Sequence, residues 1–227
     1  MKLITTLLFT FFVSTVYSQP QCACASDTTL SERVSCKPIV FKNKAKLYWQ
    51  FNCDSSWLTF EGKNKIKRIL YSTTDVASTE RDGDSYAAEY KTTFLVQHNW
   101  ISGCCDTPSF ILYSKETGEI KSQPGSLIFY SDNPRYPIIV GFHNEDYDSL
   151  SLFNVDDGKR FWVPLPKGRI KSTIAILRRE EHEFPEFLFE PTQHRSMLML
   201  KYRFKRRKDR NVTHFATIKL DLKRYCK

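Results

Sequence analysis

After its first 16 residues the chain has no long apolar run free of charges, and apolar residues almost never recur at helical spacing. The first absence leaves no later segment able to cross a bilayer as a helix, which takes about 20 apolar residues. The second argues against a helical fold. There is no Gly-x-Ser-x-Gly elbow and no His-Glu-x-x-His pair, and the five histidines (98, 143, 182, 194 and 214) are scattered. Nucleophilic and zinc-dependent hydrolysis therefore lack their usual local signatures.

What is present starts with Lys2, an apolar stretch from Leu3 to Val16, and then Tyr17-Ser18-Gln19-Pro20. A short positive region, a hydrophobic region and a small residue at the cut are the parts of a secretory signal. Val16 and Ser18 suit the −3 and −1 positions, so residues 1–18 are expected to be removed and residues 19–227 to form a single domain. Secretion or export to a periplasm follows, with no transmembrane span. Gln21 stands before Cys22 where lipid attachment wants a small residue. Loss of Lys2 lowers the formal charge from +9 to +8. A basic excess of this kind favours anionic partners, among which export disfavours nucleic acid.

Seven cysteines, an odd number, lie beyond the leader: Cys22, Cys24, Cys36, Cys53, Cys104, Cys105 and Cys226. In an oxidising compartment all are disulfide candidates, with one thiol left free or paired between chains. Four crowd the first third, which points to a staple from Cys22, Cys24 or Cys36 to the Cys53 region; Cys226 is placed to tether the carboxy terminus. The adjacent Cys104 and Cys105 are expected to find separate partners rather than form a strained vicinal bridge.

Period-2 alternation dominates the mature chain. Strands are expected at 46–53, 57–61, 66–72, 86–98, 110–114, 126–130, 138–142, 150–154, 159–164, 170–177, 186–190, 197–205 and 212–222. They are rich in β-branched and aromatic residues and separated by turn chemistry. Residues 171–183 could instead be helical. Arg81-Asp82-Gly83-Asp84, Glu116-Thr117-Gly118 and Asp156-Asp157-Gly158 read as hairpin turns, since Gly, Asp and Asn accept positive φ cheaply. The expected class is all-β, with antiparallel sheets.

Residues 109–124 and 149–164 align without gaps at an offset of 40, with Ser, Leu, Gly and Pro recurring at 109/149, 112/152, 118/158 and 124/164. Weaker copies follow Asp54 (Ser56 to Phe60) and Arg195 (Ser196 to Leu200). Such spacing describes a sheet unit that stacks on its neighbours to complete a core. The units resemble the hairpins of β-propeller blades, although the Trp-Asp pairs of well-known propeller families are missing and no family function carries over. A β-sandwich accounts for the same strands.

The carboxy-terminal hairpin is the most informative surface. Leu198, Leu200, Tyr202 and Phe204 share one face, and Lys201, Arg203 and Lys205 the other. The return strand adds Lys219, and the joining turn holds Arg206, Arg207, Lys208 and Arg210. Like charges on neighbouring strands repel by a few tenths of a kcal/mol per pair, so a covering anion would be favoured. The competing account is a solvated face whose cations keep an edge strand from pairing with other chains.

Other motifs have plainer explanations. Cys22-Ala23-Cys24 lacks a second close pair for zinc, and Glu180-Glu181-His182-Glu183 reads as a charged surface run. Glu145, Asp146 and Asp148 lack the Gly and Glu spacing of a calcium loop. Asn211-Val212-Thr213 fits a glycosylation acceptor. No cofactor is expected and no catalytic residue is assigned. The sequence thus points to an exported, non-enzymatic protein that binds an anionic glycan, a lipid headgroup or a protein. An exported hydrolase on a propeller-like scaffold and a structural envelope or matrix component are the alternatives. A rim cavity holding two or more carboxylates or histidines would favour the hydrolase.

Overall fold

The computed structural model describes residues 22–226 except 25, 27–28, 30–31, 33, 75, 77–83, 100–106, 144–146, 166–169, 171–172 and 174–183. Among the described residues, four antiparallel sheets follow one another along the chain and no barrel closes. The first holds β1 (Ile39–Val40), β2 (Lys46–Phe51), β3 (Ser56–Glu61) and β4 (Lys67–Thr73). The second holds β5 (Ser85–Glu89), β6 (Thr93–His98), β7 (Ser109–Ser114) and β8 (Ile120–Ser126). The third holds β9 (Phe129–Tyr130), β10 (Ile138–Phe142), β11 (Ser149–Asn154) and β12 (Arg160–Pro164). In the fourth, β14 (Met197–Arg206) lies between β13 (Phe189–His194) and β15 (Asp209–Asp221). In every sheet, strands adjacent in sequence are adjacent in space. The class is all-β, as expected.

Burial patterns show how the sheets stack. Phe94 and Val96 of β6 pack with Phe41, Leu47, Leu58 and Phe60 of the first sheet. Leu95, between them, packs the other way, with Ile139 of the third sheet. Ile138 and Val140 of β10 in turn face Leu198, Leu200 and Tyr202 of the fourth. The two middle sheets are therefore covered on both sides, so their central strands carry unbroken apolar runs, whereas β14 alternates buried with exposed.

The offset of 40 corresponds to a structural repeat: β7 and β11 each span six residues, from 109 and from 149. The turns after them close alike. Gly118 N–H donates to Ser114 O and Gly158 N–H to Asn154 O, both at 2.9 Å, with φ of +69° and +74°. Both glycines sit in the left-handed region, where a Cβ is costly. The weaker copies mark β3 and β14, so the recurring stretch is the next-to-last strand of each sheet.

Three expected strands differ. Residues 86–98 are two strands, β5 and β6, broken at 90–92. Nothing in Tyr90-Lys91-Thr92 signals a turn; tertiary partners hold it, since Lys91 N–H donates to Asp156 Oδ1 (3.0 Å) and Lys115 N–H to Thr92 O (2.9 Å). The strand expected at 126–130 is split: Ser126 ends β8, an edge strand with register shifts that tolerates Pro124 and Gly125, and only Phe129–Tyr130 forms β9. The strand expected at 186–190 starts at Phe189, because Pro185 opens a 3-10 turn over Pro185–Leu188. Of residues 171–183 only Thr173 is described.

Candidate functional site

Packing against the third sheet buries Leu198, Leu200, Tyr202 and Phe204 and so fixes which face of β14 looks outward. Lys201, Arg203 and Lys205 carry the opposite parity. Strand β14 lies between β13 and β15, but the β13 ladder ends at Tyr202. Lys201 is therefore interior, whereas Arg203 is paired only with β15 and Lys205 falls in the register shift. Arg210 and Lys219 lie on the edge strand β15, which is exposed at 210–213, 215, 217 and 219 and buries Leu220.

The outward face is less uniformly basic than its sequence. Glu190, opposite Lys201 on β13, places Oε2 2.8 Å from the Lys201 ammonium. That ammonium also lies 4.7 Å from the centroid of the Phe215 ring. Phe215 is 57% exposed and faces Arg203 across the ladder. Lys219 is exposed opposite Met199. Both Phe215 and Glu190 escaped the sequence reading. The parity of Phe215 with Thr217 and Lys219 would have revealed the first; the partner of Lys201 needed the β13 register.

Charge concentrates at the tip. A register shift between Phe204 and Arg206 leads into the two-residue turn Arg207-Lys208. Arg206, Arg207, Lys208 and Arg210 are exposed, and among the described residues none takes part in an ion pair. Arg206 rests its guanidinium 5.8 Å from the Phe204 centroid. Asp209, which opens β15 beside the turn, places its Oδ2 2.7 Å from His214 Nε2. The base of the tip is fixed by Lys205 N–H, which donates to Thr173 Oγ1 at 2.8 Å. Asn211 is exposed beside it. The geometry suits contact with several phosphate, sulfate or carboxylate groups, to which guanidinium forks bind in bidentate fashion.

Two other polar groupings serve the fold. Asp84, 3% exposed, pairs with His98 on the neighbouring strand, whose ring meets Tyr71 edge-on at 5.5 Å. Burial raises the Asp84 carboxyl, while the hydrogen bond and charge of His98 pull the other way. Glu61 accepts from the Tyr48 hydroxyl (3.1 Å) and from Lys65 (3.3 Å). Burial alone would raise its carboxyl, but Lys65, Tyr48 and the charge of Lys46 hold it below its ordinary value; Tyr48, buried against that carboxylate, is pushed up to about 12.

Four cysteines are paired, Cys22 with Cys36 and Cys24 with Cys53, which staples the amino-terminal segment over Phe51, Val34 and Val76. Cys226 belongs to neither bridge and lies half-buried beside the core of the last two sheets; burial, with Asp157 and Asp156 nearby, raises its thiol. Cys104 and Cys105 lie outside the described residues, as do Glu145, Asp146 and the 180–183 run. No helix of the described residues is long and apolar enough to cross a membrane. No protein-family model matches the chain, and no curated protein matches it either, so what can be said of its function rests on the geometry above.

Proposed function

We propose that this chain is an exported, non-enzymatic binding protein that engages an anionic glycan or lipid-headgroup surface through the tip of its last hairpin. One observation carries the reading: Arg206, Arg207, Lys208 and Arg210 crowd one turn, exposed and without ion pairs among the described residues. Cations so placed repel one another, and a polyanion relieves that repulsion while displacing only water and counterions. Phe215 adds an exposed apolar surface beside Lys201 and Arg203. The leader-like residues 2–18 and the two disulfides support an extracytoplasmic setting.

The test is retention of the processed protein on heparin-like resin and on phosphatidylserine vesicles as salt is raised. Retention that falls with salt, and that disappears when Arg206, Arg207, Lys208 and Arg210 become Ser, is expected. No retention at low salt on either matrix ends the proposal, and the preferred matrix identifies the partner class.

A further inference from the structure

A second cationic site, which shares no lining residue with the hairpin, lies where the turns of the first three sheets converge. Lys42 and Asn43 come from the turn before β2, Tyr90 to Thr92 from the turn between β5 and β6, and Lys115 and Glu116 from the turn after β7; Asp156 follows β11. Two adjoining clefts, of about 550 and 460 Å³, share Asn43, Lys91 and Lys115. Each falls in the size range of small-molecule sites, roughly 300–1,000 Å³.

Five lysines line the clefts: 42, 63, 91, 115 and 121. Only Lys115 is neutralised; its side chain is 5% exposed and its ammonium lies 2.8 Å from Glu89 Oε1. That same oxygen accepts from Lys42 N–H at 3.0 Å. Asn43 is held rigid, donating to Lys115 O (2.7 Å) and accepting from Ala45 N–H (3.1 Å). Lys42, Lys63, Lys91 and Lys121 form no ion pair among the described residues.

Two buried hydroxyls supply an independent sign of a ligand. Thr93, 7% exposed, lines the larger cleft and Tyr90, 3% exposed, the smaller; neither Thr93 Oγ1 nor the Tyr90 hydroxyl has a hydrogen-bond partner. Buried polar atoms are ordinarily satisfied. Two residues with unpaired hydroxyls, a fixed amide and four lysines without ion pairs thus line two adjoining clefts. Three carboxylates line the clefts too: Glu89 pairs with Lys115, Asp156 accepts from Lys91 N–H, and Glu116 is exposed.

We infer that this junction binds a small oligoanion: a hydroxylated molecule bearing at least two carboxylate, phosphate or sulfate groups. The lysines take the charges, and Asn43, Thr93 and Tyr90 the hydroxyls. The site is independent of the hairpin, and its test separates the two.

Citrate and inorganic pyrophosphate serve as probes and glycerol as the uncharged control, with the processed protein followed by titration calorimetry and thermal unfolding. Saturable one-to-one binding of either anion is expected. Lys63→Ser and Lys121→Ser, both at exposed positions, should each weaken it roughly tenfold, the worth of one charge-assisted contact. Thr93→Val should weaken it about threefold without changing its salt dependence, since it removes a hydrogen bond and no charge. Replacing the four hairpin-tip cations should leave it unchanged. Absence of saturable binding, binding by the Lys63 and Lys121 variants as tight as the parent's, or loss in the hairpin variant would each overturn the assignment.

Discussion

Gly118 and Gly158 occupy equivalent positions in the repeated turn, with nearly equal φ of +69° and +74°, yet they should respond very differently to alanine. Both substitutions meet the left-handed backbone, which costs an L-residue about 1–2 kcal/mol. Both also recover about 0.4–1 kcal/mol by restricting the unfolded chain. At Gly158 nothing lies within 4 Å of the added methyl, so the balance is about 1 kcal/mol of destabilisation. At Gly118 the methyl would sit 2.5 Å from Phe60 Cδ1, with two further ring atoms at 3.1 Å. Phe60 cannot turn aside easily: it is 1% exposed and stacked on Phe94 at 5.5 Å with 14° between planes. Overpacking a filled core adds about 1–3 kcal/mol. Gly118→Ala should therefore cost about 2 kcal/mol more than Gly158→Ala. With a urea slope of about 2 kcal/mol/M, the unfolding midpoints separate by about 1 M. Phe60→Leu should reduce that gap, because the leucine vacates the space the methyl needs, and a double-mutant cycle measures the coupling. Equal midpoints for the two alanine variants, or no coupling to Phe60, would refute the proposed packing of the second sheet's turn on the first sheet's core.

Three further outcomes follow from the same structure. Replacing Cys24 and Cys53 together by Ser opens a loop of 29 residues and should lower stability by about 3–4 kcal/mol, measured as the shift in urea midpoint; the parent protein under reducing conditions should lose at least as much. The Glu61 carboxyl is held below its ordinary value in the folded state, so its contribution is complete above the unfolded value of about 4.5 and is lost as pH falls through the folded one. Glu61→Gln should accordingly flatten the decline in midpoint on acidification below that value, and a parallel curve would count against the Lys65 and Tyr48 contacts. Glu190→Gln frees the Lys201 ammonium at the surface: resin retention should extend to higher salt, while stability moves by less than about 1 kcal/mol because the pair is exposed.

Much of the architecture was legible because the sheets pair sequentially and bury their faces with period 2. The runs Phe94-Leu95-Val96 and Ile138-Ile139-Val140 mark strands covered on both sides, and the offset of 40 marks equivalent hairpins. Where the reading failed, distant residues decided the local structure. The break at 90–92 depends on Asp156 and Lys115, and the strand through Pro124 depends on its place at an edge. Tip cations were visible as a run of Arg and Lys; the ion pair that offsets Lys201 was not, because it requires the β13 register. The lysine cleft could not be seen at all. Its members are separated by 20 or more residues for the most part, and nothing in the sequence around any one of them marks it out.

Double-sided burial of β6 and β10 bears on how the chain is made. Until the third sheet arrives, Leu95 and Leu112 of the second have nothing above them. Synthesis at about 5–20 residues per second supplies the roughly 40 missing residues in about 2–8 seconds. Throughout that interval a greasy, half-finished surface is on offer to any passing chain. Arrest of elongation just after residue 126 should leave nascent polypeptides sticky through Leu95 and Leu112. Arrest at 165 should leave them sticky through Ile138 and Val140, whose cover is the fourth sheet.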